Sequence, residues 1–175
     1  AFRFYKEALA SETLGSTEFR NQYIVWLQKI LGNFKPENRM EVLDFGISEL
    51  EKEVKDHSLV FSYLNLGQLY NFKARSIQDE AAKKEFFVKA TEAYDKASEL
   101  SPKRLEVFYS YLQLTLETKD FGKGIKIMKR AVEAAPDYPT TWWYLGFAYT
   151  AGGNDIEAIK NINKALTLWY RGDVF

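Results

Sequence analysis

Few side chains in this sequence are suited to chemistry. One histidine, His57, sits in the stretch KDHSL, and the 175 residues contain no cysteine. A lone imidazole without thiols cannot build a histidine-rich metal centre, a thiolate zinc site or a cysteine nucleophile. The polar neighbours of His57 favour an exposed linker or cap between two helices over a general base. Glu51 and Glu53, in ELEKEVKD, are interleaved with lysines and read as a solvated face. The stretch FGKG at 121–124 lacks the Gly-x4-Gly-Lys-Ser/Thr spacing that cradles phosphate and reads as a turn entering a helix. No catalytic residue, metal ligand or cofactor is assigned, and an enzyme is not expected. What remains is aromatic: the adjacent Trp142 and Trp143 in PTTWWYLGFAYTAGGND could form a ligand platform or simply pack. The elements that carry them decide which.

Those elements are helices. Apolar residues recur at helical spacing, as in Leu43, Ile47, Leu50 and Val54 or Phe86, Ala90, Tyr94 and Ala97. Only four prolines and ten glycines interrupt the pattern, and no strand-type alternation of useful length occurs. An apolar fraction of 46% with 27% charged residues suits one well-buried domain spanning 1–175. Lys+Arg and Asp+Glu balance at 24 each, so no overall field gathers a polyanion and nucleic acid is not an expected partner. No apolar run approaches the roughly 18 residues that span a bilayer, so no membrane insertion by this segment is expected. The absence of cysteine suits the cytoplasm and the bacterial envelope equally and leaves the compartment unknown. The opening AFRFYKEALA lacks the order of a signal peptide and begins within a helical pattern, as a soluble piece of a longer protein would.

The helices repeat. Pro136 lies 34 positions after Pro102, Ala131 34 after Ala97, and Trp142 34 after Phe108. This period, with Trp142-x2-Leu145-Gly146-x2-Tyr149 followed by Ala158-x3-Ile162 and Ala165, resembles the tetratricopeptide repeat (TPR) signature. A second copy reads Tyr63-x2-Leu66-Gly67-x2-Tyr70, then Ala90-x3-Tyr94-x2-Ala97 and Pro102. Its two halves stand 11 residues farther apart than in the last repeat, and the excess falls in KARSIQDEAAKKE (73–85). That stretch is made of helix formers, so two lengthened helices or a projecting turn are expected. The resemblance implies an all-α, right-handed superhelix of about four and a half hairpins. Its parts would be the second helix of a truncated repeat (1–14), a degenerate repeat (15–57), a repeat with the insertion (58–102), and repeats at 103–136 and 137–170.

Within such a stack the signature residues pack helix on helix. Gly67 and Gly146 admit the paired helix, as do Ala131, Ala158 and Ala165, while Trp142, Phe108 and Tyr63 fill the gap between helices. Trp142 is thus expected in the core. Ser101 is expected to cap a helix with Pro102 in its first turn, Asp120 and Asn154 to cap second helices, and Gly32 and Gly152-Gly153 to end helices in left-handed conformations. Trp143 lies about 100° further round the helix, and the TPR resemblance places it on the concave surface with Phe147 one turn on. Equivalent slots hold Tyr109 and Gln113, then Leu64, Gln68 and Asn71. Together they would form a groove with an aromatic end and an amide-rich middle, fit for a protein or peptide segment. The alternative is that these aromatics pack on one another or on a further helix.

TPR domains that grip acidic chaperone tails use a two-carboxylate clamp. Its slots here hold Leu64, Gln68, Ser110, Thr140 and Tyr144, none of the required type, so chaperone-tail binding is not expected. FYKEALASETLGSTEFRNQY, LNLGQLYNF and ELSPKRLEVFY also resemble the soluble C-terminal TPR region of bacterial O-antigen ligase family membrane proteins. That resemblance implies an accessory segment whose catalytic part lies elsewhere. Finally, ALTLWYRGDVF lacks a polar capping helix. Leu166, Trp169 and Tyr170 would then stay exposed and pair with a second copy of the chain, giving a homo-oligomer through this end.

Overall fold

The computed structural model describes residues 1–10, 16–30 and 36–172, which form helices and short connections with no strand among them. The helices are α1 (Phe2–Ala10), α2 (Ser16–Ile30), α3 (Pro36–Asp56), α4 (Val60–Ser76), α5 (Glu80–Leu100), α6 (Leu105–Glu117), α7 (Phe121–Ala134), α8 (Pro139–Ala151) and α9 (Asp155–Gly172). The all-α reading holds. Contacts divide the chain into two units, Ala1–Ala93 and Tyr94–Phe175, with the division inside α5.

In the first unit, α1 packs on α2, α2 on α3 and α3 on α4. Tyr23, Ile24 and Leu27 of α2 meet Val42, Leu43, Ile47 and Leu50 of α3 in a buried core. Gly46 makes the approach tight: a Cβ there would come within 3.1 Å of Tyr23 and Leu27 and 3.2 Å of Leu69. The small residue of this crossing thus sits on the second helix of the pair. Tyr23 donates its hydroxyl to the Val42 carbonyl at 2.6 Å, so its ring is buried without stranding its polar end.

Glu51 and Glu53 are not a solvated face. Glu53 is fully buried and accepts the Ser62 hydroxyl at 2.6 Å, and Glu51 accepts the Tyr70 hydroxyl at 2.5 Å. The reason is length: α3 runs 21 residues, so its last turns lie against α4, which presents hydroxyls to them. Burial and the bond to Glu51 hold the Tyr70 phenol well above its ordinary pKa, so the donor keeps its proton. The residues KARSIQDEAAKKE extend α4 to 17 residues and open a 21-residue α5, against 13 in each of α6 and α8. Asp79, in the connection, accepts the Ala82 amide at 2.7 Å.

In the second unit α6 packs on α7, α7 on α8 and α8 on α9. The last two hairpins solve the same crossing in opposite ways. In α8–α9 the first helix supplies Gly146, where a Cβ would meet Ile162 Cγ1 at 2.6 Å and the Ala158 carbonyl at 3.1 Å. In α6–α7 the position 34 residues earlier is Leu112, and the second helix supplies the gap as Gly124, whose Cβ would meet Thr115 Oγ1 at 2.6 Å and Leu112 at 3.3 Å. Phe108 is fully buried as expected, whereas Trp142 is only half-buried, its indole N–H donating to the Pro136 carbonyl at 2.7 Å. Trp142 is thus fixed by a hydrogen bond at the rim of the core.

The second-helix caps form as the sequence implies. Asp120 accepts the Lys123 amide at 3.0 Å and Asn154 the Glu157 amide at 3.2 Å. Ser101 and Pro102 do not open a helix, because a turn separates them from α6, which starts at Leu105 after an uncapped Arg104. Gly32 lies outside the described residues. Gly152 has an ordinary φ of −83°, and only Gly153 is left-handed, at +76°. Lys119, 34 positions earlier, takes the same left-handed form at φ 57° with a side chain. Lys119→Gly should raise stability by about 0.5–1 kcal/mol by removing that clash, while Gly146→Ala should lower it by about 1–3 kcal/mol through overpacking. Urea unfolding followed by helical circular dichroism checks both.

Candidate peptide-binding cleft

The second unit contains an open cleft of about 330 Å³ between α6 and α8. From α6 come Tyr109, Gln113 and Leu116, spaced i, i+4 and i+7 on one stripe, with Ser110 and Leu112 beside them; from α8 come Tyr144 and Phe147. No charged residue lines it. The Tyr109 and Tyr144 rings lie 4.8 Å apart and form its wall, while Phe147 is 46% exposed and Gln113 is open to solvent.

The Tyr109 hydroxyl is the polar group of note. Its oxygen is buried and has no hydrogen-bond partner among the described residues. Burial first, then the neighbouring Tyr138, Tyr144 and Glu106, push its pKa up to about 12, so it stands protonated as a donor at neutral pH. A buried hydroxyl without a partner costs about 1–3 kcal/mol, which an arriving acceptor would recover.

Of the residues expected to form a groove, the structure brings Tyr109, Gln113 and Phe147 together. Trp143 goes elsewhere. It is 41% exposed, and its ring leans on Trp169 of α9 at 5.6 Å, outside the cleft lining. The 18-residue α9 reaches far enough to set Trp169 there, so Trp143 spends one face on packing. In the first unit, Leu64 and Asn71 are each 4% exposed, which corrects the expectation that their side chains are offered to a ligand. Gln68 is partly exposed but accepts from Gln28 at 2.7 Å, and Gln28 also donates to Asn65 at 3.3 Å. The amide-rich stretch is real, and it is occupied in tying α2 to α4. Leu116 and Tyr144 are lining residues that the groove assignment omits. The i+7 spacing from Tyr109 would have found Leu116, whereas Tyr144 requires knowing how α8 is rotated.

Among the described residues no three His, Cys, Asp or Glu side chains group so as to hold a metal ion, and His57 is exposed between α3 and α4. No described helix is long and apolar enough to cross a membrane.

No family model and no curated protein matches the chain. Solved structures do. A crystal structure of MamA aligns over 99% of this chain and 90% of its own, at 20% identity and a TM-score of 0.72. A double mutant, MamA RS-1 ArsTM, aligns over 99% and 86% at 16% identity with a TM-score of 0.70. TTC0263, a thermophilic TPR protein of Thermus thermophilus, aligns over 97% and 94% at 17% identity with a TM-score of 0.60. At such identities the likeness establishes the fold, and that fold is the TPR solenoid. It lends no support to a relation with O-antigen ligases.

The Trp143–Trp169 pair yields a measurable coupling. The destabilisations of Trp143→Ala and Trp169→Ala should fall short of additivity by about 0.5–1.5 kcal/mol in a double-mutant cycle. Full additivity would mean the rings do not hold each other in solution.

Proposed function

We propose that this chain is a non-catalytic scaffold that binds a protein or peptide segment through the α6–α8 cleft. The observation that carries the reading is an uncharged aromatic cleft in which a buried polar group, the Tyr109 hydroxyl, has no partner among the described residues. Tyr109 and Gln113 offer hydrogen bonds to an extended backbone, and Phe147 offers an apolar anchor. A strongly acidic tail finds no cation there. Hosting such a segment is what a TPR fold suits, although fold alone names no partner.

A random-peptide library selected against the whole chain tests the reading. Enriched peptides should have an uncharged core with an apolar side chain, and Phe147→Ala should weaken their binding by about tenfold or more without loss of helicity. Peptides that bind the Phe147→Ala variant equally well would sink the proposal.

A second reading is self-association. It is favoured by an exposed apolar stripe on α9, where Ile156 is 81% and Tyr170 73% exposed and Ile159 and Leu166 lie between them. Light scattering should show a concentration-dependent dimer that Ile159→Lys abolishes, and a monomer at high concentration would remove this reading.

A further inference from the structure

A second cleft in the second unit carries a different chemistry. A cleft of about 380 Å³ lies between α7 and the end of α5, lined by Asp95, Gly122, Lys123, Lys126, Ile127 and Arg130. In a chain of zero net charge, three cations and one carboxylate here leave a local excess of two positive charges. The cations stand at i, i+3 and i+7 on α7, a spacing at which like charges repel.

The partners inside the chain are weak. Arg130 turns both terminal nitrogens on one neutral acceptor, the hydroxyl of the buried Ser98, and both contacts are long at 3.4 Å. A guanidinium fork fits two oxygens of one anion, and here it straddles one hydroxyl. Lys123 stands 3.6 Å from Asp95 Oδ2, while Oδ1 of the same carboxylate already accepts the Tyr111 hydroxyl at 2.6 Å. Aromatic faces hold the cations in place: the Arg130 guanidinium lies 5.3 Å from the Phe108 ring centre and the Lys123 ammonium 4.9 Å from that of Tyr111. Arg130 and Lys123 are thus arranged without a full counter-ion, and Lys126 lines the same cleft exposed to solvent.

From this geometry we infer that the α5–α7 cleft binds a phosphate monoester, with Arg130 forking two of its oxygens and Lys123 and Lys126 supplying point charges. A phosphate monoester carries about −1.5 to −2 charges at neutral pH, close to the excess of the cleft, whereas one carboxylate matches half of it. The site does not depend on the peptide cleft, which is lined by other helices.

The test is a titration of the isotopically labelled whole chain, followed by amide resonances at constant ionic strength. Inorganic phosphate should give saturable shifts within 122–130, where chloride gives none. A short phosphoserine peptide that binds more tightly than inorganic phosphate would identify a modified side chain as the source, and equal affinity a free phosphate compound; either supports the site. Lys126→Gln, at an exposed position, should weaken phosphate roughly tenfold, about the loss of one charge-assisted contact. Arg130→Gln should weaken it at least as much. Shifts that never saturate, equal binding of a glutamate peptide, or unchanged affinity in Lys126→Gln would each overturn the inference.

Discussion

Two helices can cross closely only where one of them gives up a side chain, and that constraint organises this molecule. Gly46 does so for α3 against α2 and α4, Gly124 for α7 against α6, and Gly146 for α8 against α9. Each gap is filled by side chains of the facing helix: Tyr23 and Leu27 at Gly46, Leu112 and Thr115 at Gly124, and Ile162 at Gly146. Leu112 and Gly124 show that the rule concerns the pair: the bulk can sit on either helix provided the other yields.

This accounts for how much could be read in the sequence. The period was legible because crossings recur at fixed intervals and admit few residue types, which is why Gly146, Ala131, Ala158 and Ala165 mark the last repeats. The degenerate repeat was harder to read, because its first helix carries no glycine and its small residue, Gly46, sits on the second helix alone. The caps at Asp120 and Asn154 were legible for a local reason, since an N-cap is decided within four residues. Lys119 was not, because nothing in its side chain announces a left-handed backbone.

The candidate site was less legible because exposure is a property of neighbours. Register put Leu64, Asn71 and Trp143 on one surface, but Leu64 and Asn71 are covered and Trp143 turns to Trp169. Likewise ELEKEVKD reads as solvated until α3 proves long enough to lay Glu53 against Ser62. Spacing along one helix was reliable, as Tyr109 and Gln113 show. Rotation of a helix relative to the next was not.

The lack of charge along the α6–α8 cleft bears on kinetics. A partner docking there is not drawn in from a distance, so encounters proceed at the unsteered rate of about 10⁵–10⁶ M⁻¹s⁻¹ and change little with ionic strength. Selectivity among partners must then reside in how slowly each one leaves.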